Sequence, residues 1–209
     1  MQMLDWINVA LEEPVDPDEN VYSLIFLTND LSRSAKSVRG VCMSNGKSQY
    51  ANYFGDVKQD ILRLEQIPAF LVNLEVSVHR GITDWLNWLT VRAQGKTLYF
   101  AASDAFGWTA DVLESLDKEF GLKTKIKFQL LDLKLMYSAW KNKTALNAED
   151  NTKAVFAGVR QPAKKEGLAF IRSIFKLDIP GHFEGPCQRS IDSFYLCRHM
   201  LSLDIPEPE

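Results

Sequence analysis

Two hydrophobic periods alternate along this chain, and the switches between them mark its elements. Leu4, Ile7, Val9 and Leu11, set among polar neighbours, predict a short amphipathic helix over residues 2–12. The stretch Glu13-Pro14-Val15-Asp16-Pro17-Asp18-Glu19-Asn20 cannot continue it, because two prolines break helices and the acids repel, so it reads as a linker. Val21–Asn29 reads as a strand whose run Leu24-Ile25-Phe26-Leu27 is apolar on both faces, the pattern of a strand inside a sheet. Ser37–Ser44 and Ser48–Phe54 flank Asn45-Gly46, a two-residue hairpin signal, so the first three strands should form an antiparallel meander.

Helical spacing then takes over. Ile82, Trp85, Leu86 and Leu89 share one face of a helix that Gly95 ends. Thr97–Ala102 is a short apolar strand. Phe106–Phe120 is a second helix, with Val112, Leu113, Leu116 and Phe120 on one face and Gly121 as its stop. Lys125–Leu130 reads as a further strand, running into a helix of Leu133, Met136, Tyr137 and Trp140. Asn142–Lys153 is polar and loop-like. Pro162 opens a helix carrying Leu168, Ile171 and Phe175, and Pro186 opens the last, ending near Ser202. No element is predicted between Phe54 and Ile82. A meander followed by helix, strand, helix, strand and three helices predicts an α/β class, a mixed sheet with helices on its faces.

Composition narrows this little. At 209 residues and 46% hydrophobic, the chain is long enough for one domain with a substantial core. Its longest apolar runs fall far short of the ~20 residues that cross a bilayer. The start lacks the basic and apolar regions of a signal peptide. Three widely spread cysteines suit reduced thiols, so the expected setting is cytoplasmic (intracellular), with no membrane partner.

Charge is informative by segment. Residues 1–30 carry seven acids and no Lys or Arg, whereas residues 122–176 carry twelve bases against four acids. This asymmetry within a net charge of −3 points to a polyanionic partner for the basic part and a basic protein partner for the acidic N-terminal helix. Lys123, Lys125 and Lys127 alternate, so in a strand their ammonium groups would share one face at about the spacing of phosphates along a nucleic-acid strand. Lys141, Lys143, Lys164 and Lys165 would extend that candidate nucleic-acid surface. Trp85, Trp88, Phe106, Trp108, Tyr137 and Trp140 could stack on bases, but most have core spacing; Trp88 and Trp108 are the better candidates for exposure.

Familiar catalytic motifs are missing. No Gly-rich phosphate loop and no Gly-x-Ser-x-Gly elbow is present. His182, Glu184, Cys187, Cys197 and His199 are possible zinc ligands. However, Cys187 and Cys197 lie ten residues apart on one predicted helix, about 15 Å of rise, too far for one tetrahedral zinc. They share a stripe with Ile191, Phe194 and Leu201, so both are expected to be buried structural thiols, and no metal site is assigned.

The order of elements, with short flanking matches, resembles the DEDDh-type 3′–5′ exonucleases of the ribonuclease H-like fold over roughly residues 21–203. Tyr22–Leu31 resembles their first strand: Thr28 and Leu31 match, while the two metal-binding acids fall on Ile25 and Leu27. Leu98–Leu113 resembles the second motif, with Ser103 in the Asn place, Phe106 matching and Gly107 in the place of the acid. Gln129–Met136, with Leu131-Asp132-Leu133, resembles the later strand. Gly185–Leu201 resembles the last helix, whose His-x4-Asp falls on Cys187 and Asp192.

The resemblance implies a ribonuclease H-like domain over 21–203, preceded by an acidic helix and linker (1–20) and followed by an acidic tail (204–209). It implies two-metal hydrolysis in the family, but Ile25, Leu27 and Gly107 offer no oxygen ligand for magnesium. The expectation is a catalytically defective exonuclease-like domain, without cofactor, that binds nucleic acid or a protein partner. One alternative is an active exonuclease using Mg2+ or Mn2+ on the displaced acids Asp30, Asp104 and Asp192. Another is a pure protein-interaction subunit.

Overall fold

The computed structural model describes residues 2–9, 13–30, 32–67, 69–141, 168–179 and 185–204. Its elements are α1 (Met3–Val9), β1 (Val21–Thr28), β2 (Val38–Ser44), β3 (Gln49–Phe54), α2 (Gln59–Leu64), β4 (Val72–Asn73), α3 (Val78–Ala93) and β5 (Leu98–Ala102). They continue with α4 (Ala110–Phe120), α5 (Leu122–Lys125), β6 (Phe128–Asp132), α6 (Leu133–Lys141), α7 (Leu168–Phe175) and α8 (Gly185–Leu201). The strands form one sheet in the order β4-β3-β2-β1-β5-β6. β1, β2 and β3 are antiparallel neighbours; β5 runs parallel to β1, and β6 parallel to β5. This is the predicted α/β, ribonuclease H-like mixed sheet, an antiparallel meander continued by parallel strands and flanked by helices. Among the described residues no helix is long and apolar enough to cross a membrane.

Strand β1 lies in the middle, as its unbroken apolar run requires. Tyr22, Leu24 and Phe26 point to one face, where they pack with Trp85, Leu86 and Leu89 of α3 and Val112, Leu113 and Leu116 of α4. Val21 and Leu27, out of phase with these, point to the other face, which α8 covers together with α1 and α6. The turn between β2 and β3 is centred on Gly46-Lys47, one residue later than predicted. The Asn45 carboxamide oxygen sets it by accepting from the Lys47 and Ser48 N–H groups at 3.1 and 2.7 Å.

Three segments depart from the sequence expectation. The Glu13–Asn20 stretch is held against the domain: Val15 is buried, its N–H reaches the Asn8 side chain at 2.7 Å, and Tyr99 donates to the Glu13 carbonyl at 2.5 Å. Met3 and Ile7 of α1 are buried in the same cluster as Phe194 and Met200 of α8. Next, α2, β4 and a short 3-10 turn over Ala69–Leu71 fill the region left blank, and β4 adds an edge strand parallel to β3. Finally, residues 122–125 form the short helix α5, and β6 begins only at Phe128. Leu122 and Ile126, both buried, are four apart and satisfy a helical turn as well as alternation does. Asp117 decides between the two by accepting from the Lys123 N–H at 2.7 Å, and Thr124 Oγ1 donates back to the Gly121 carbonyl at 2.7 Å.

Candidate functional site

Beneath the second half of β1 the sheet face is apolar but carries three polar side chains in mutual contact. The pleat turns Leu27, Cys42 and Tyr53 to one side, where Val57, Ile67 and Cys187, from the first turn of α8, complete the cluster. Ile25 packs against its edge. Gly40 makes the arrangement possible, since a Cβ there would stand 2.3 Å from the Tyr53 ring. With that space open, the Tyr53 hydroxyl lies 2.9 Å from the Cys42 sulfur and 3.4 Å from that of Cys187. The two sulfurs are 3.8 Å apart.

The start of α8 is fixed from several sides. The Cys187 carbonyl accepts from the Ser190 hydroxyl at 2.8 Å and from the Gln49 side chain at 3.5 Å, and Arg189 pairs with Glu65 at the end of α2. Gly185, at φ +63°, lies so close to the Glu65 carbonyl that a Cβ would stand 1.9 Å from its oxygen.

Electrostatically the three groups are not equivalent. Hydrogen bonding with Cys42 holds the Cys187 thiol below its ordinary value against the opposing effect of burial, and the Tyr53 hydroxyl adds to it. Burial pushes Cys42 up, with Cys187 adding to the shift, and burial likewise raises Tyr53. Cys187 is therefore the member that ionises first, beside two groups that keep their protons and can donate to it.

Ile25, Leu27 and Cys187, the places that the resemblance gives to two metal-binding acids and the base, thus meet in this one cluster. Their chemistry does not fit a magnesium or manganese pair, which needs hard oxygen ligands where two aliphatic side chains and a thiol stand. The place of Gly107 is filled by Asp104, whose carboxylate would stand 2.3 Å from a Cβ on that glycine.

The displaced acids have structural partners. Asp30 accepts from the Ser32 N–H at 2.8 Å in a turn. Asp104 is exposed and caps the turn leading to α4 through the Trp108 N–H at 3.1 Å. Asp192 is bound by Arg172 of α7 and accepts from Gln188 at 2.9 Å. Among the described residues no three His, Cys, Asp or Glu side chains form a group that could hold a metal ion, so these acids do not come together as one. Asp132 is the buried carboxylate at this end of the sheet. It accepts from the N–H groups of Ala105, Lys134 and Leu135 at 2.9, 2.9 and 3.1 Å, while burial raises its pKa.

The candidate nucleic-acid surface is also altered. Without a strand at 123–127, the three lysines do not line one strand face; Lys123 lies 3.9 Å from Asp117 and Lys127 3.8 Å from Glu13. The side chain of Lys141, and Lys143, Lys164 and Lys165 altogether, lie outside the described residues. The acidic arm meets the chain's own bases: Glu19 with Lys96 at 2.6 Å and Asp18 with Arg198 at 3.0 Å. Trp88 and Trp108 are partly buried against the α3 face, and Arg92 sits 3.9 Å over the Trp88 ring.

Of the zinc candidates, His182 and Glu184 lie outside the described residues. Cys187 and Cys197 are both buried, in separate clusters, and burial pushes Cys197 up to about 12. Sequence reasoning placed Cys187 and missed its neighbours Cys42 and Tyr53. The available signal was a cysteine and a tyrosine on adjacent strands of one predicted hairpin. No protein-family model and no curated protein matches this chain.

Proposed function

We propose that the chain is a ribonuclease H-like domain that acts by binding a protein partner rather than by cutting nucleic acid. One observation carries the reading: Ile25, Leu27 and Cys187 pack together where the resembled exonucleases place carboxylates and a base, and this packing supports binding over two-metal hydrolysis. The binding surface is the apolar border beside the edge strand β4. Leu64, Phe70 and Leu74 are 81%, 79% and 56% exposed there, and β4 itself spans only two residues. Exposed large apolar side chains in the segments flanking an edge strand are characteristic of contact surfaces.

Incubation with labelled single- and double-stranded DNA and RNA in Mg2+ or Mn2+ tests the first half of this reading. The substrates should stay intact; trimming that disappears in Asp192→Asn would return the chain to the exonucleases. For the second half, tagged wild type and Leu64→Asp/Phe70→Asp are purified from the native cell. A stoichiometric companion is expected with the wild type alone. Nucleic-acid binding remains as a second reading through exposed Lys125, which has no ion pair with a described residue. A salt titration of labelled oligonucleotide against Lys123→Glu/Lys125→Glu/Lys127→Glu separates it, since phosphate contacts weaken steeply with salt.

A further inference from the structure

We propose that Cys42 and Cys187 form a dithiol that peroxide converts to an intramolecular disulfide, a modification site that locks the start of α8 onto β2. The geometry carries this. The sulfurs already stand 3.8 Å apart with no atom required between them, and a disulfide closes that distance to about 2.05 Å. Closing it takes rotation about the two Cα–Cβ bonds and an inward shift of the first turn of α8. Cys187 is buried in that first turn, which the Arg189–Glu65 pair and the Ser190 hydroxyl hold, so hydrogen peroxide reaches it through transient opening of this terminal turn rather than global unfolding. Cys197 has no such neighbour: it is wholly buried among Ile7, Phe194 and Leu201, with no thiol beside it.

The chemistry balances with peroxide as the oxidant. The Cys187 thiolate attacks one peroxide oxygen, a sulfur–oxygen bond forms, the oxygen–oxygen bond breaks, and hydroxide leaves. Cys42 then gives up its proton, and its sulfur attacks the sulfenic sulfur of Cys187. The sulfur–sulfur bond forms, the sulfur–oxygen bond breaks, and water leaves. Two electrons pass from the thiols to the peroxide, which becomes two waters. Tyr53 has a defined part in this sequence. Its hydroxyl, 3.4 Å from Cys187, can donate to the thiolate before attack and loses its thiol partners once the bond has formed. Cys187 is the attacking member because hydrogen bonding favours its ionised form, whereas burial holds Cys42 protonated. The resulting crosslink joins positions 145 apart, so the unfolded chain is strongly constrained and the folded state gains thermal stability.

The test uses the full chain, treated with hydrogen peroxide, denatured with excess alkylating agent and digested without reductant. A Cys42–Cys187 linked peptide is expected, with the alkylatable thiols falling from three to one and returning with dithiothreitol. The midpoint of thermal unfolding should rise on the order of 5 °C in the oxidised monomer. Cys197→Ser should leave the crosslink intact, and Cys187→Ser should abolish it. Sulfinic or sulfonic Cys187 without the linked peptide would overturn the proposal. So would disulfides between copies, or three thiols unchanged at a peroxide dose that oxidises the urea-unfolded chain. The wild-type peptide map decides the matter even if a serine variant fails to fold.

Discussion

The two faces of the sheet are built on different principles. Under α3 and α4 the contacts are almost entirely hydrocarbon and aromatic: Leu24, Phe26, Ile82, Trp85, Leu86, Leu89, Val112 and Leu116 fill the space, and the Trp85 indole N–H is directed at the Met43 sulfur at 3.1 Å. Between the sheet and α8 lie Ser23, Cys42 and Tyr53 of the strands and Cys187, Ser190 and Ser193 of the helix, all buried. Each buried polar group there needs a partner, because an unmet donor or acceptor costs about 1–3 kcal/mol. A face that only packs can exchange residues of equal volume. A face laced with thiols and hydroxyls holds its residues in a fixed mutual geometry, and reactivity belongs on that side.

Truncation on the packing face should have the largest effect. Trp85→Ala removes a wholly buried ring and should cost about 3–5 kcal/mol in urea unfolding, with little change in slope. A comparable loss from Cys42→Ala would erase the distinction between the faces. Next, Gly185→Ala should cost about 2–4 kcal/mol, because the new methyl meets the Glu65 carbonyl and the backbone there is left-handed. The same variant should weaken the thiol cluster, seen as faster alkylation of Cys187.

Asp132 ties the two sides together, since it holds the turn at Ala105 and the first turn of α6. Its raised pKa means that the folded state binds the proton more tightly than the unfolded chain. Its contribution to stability should therefore fall as pH rises from the ordinary Asp value of about 3.9 through the raised one. Asp132→Asn should flatten that decline in a series of thermal melts, while Asp132→Ala should flatten it too and cost about 1–2 kcal/mol at low pH through the lost cap. Tyr53→Phe is the smallest change, about 0.5–1.5 kcal/mol. It should raise the pKa of Cys187 by removing a donor, measured as a rightward shift in the pH profile of alkylation.

Much of the packing face could be read directly from the chain. Leu24 and Phe26, and the helical spacing of Ile82, Trp85, Leu86 and Leu89, express burial through local periodicity, and local periodicity survives in one dimension. The α8 face could not be read in this way. Cys187 belongs to a stripe with Phe194, Cys197 and Leu201, yet its contacts are Cys42 and Tyr53, on strands far back in the sequence. Alternation of Lys123, Lys125 and Lys127 suggested a strand because the cap that bends this segment comes from Asp117, outside the alternating stretch. The acidic arm looked like a tether because its ion pairs, Glu19 with Lys96 and Asp18 with Arg198, also join distant positions. Side-chain chemistry between remote elements carries no period, and that is where the sequence falls silent.

The distance along the chain between β2 and the helix that covers it has a consequence during synthesis. Strands β1 to β3 leave the ribosome well before α8, and the α8 turn that shields Cys42 arrives 145 residues after that cysteine. At roughly 5–20 residues per second, the underside of the meander stays uncovered for about 7–30 s. For that interval the nascent protein presents an apolar sheet face with an accessible thiol, so chaperone occupancy should be greatest on ribosome-bound chains that end before Gly185.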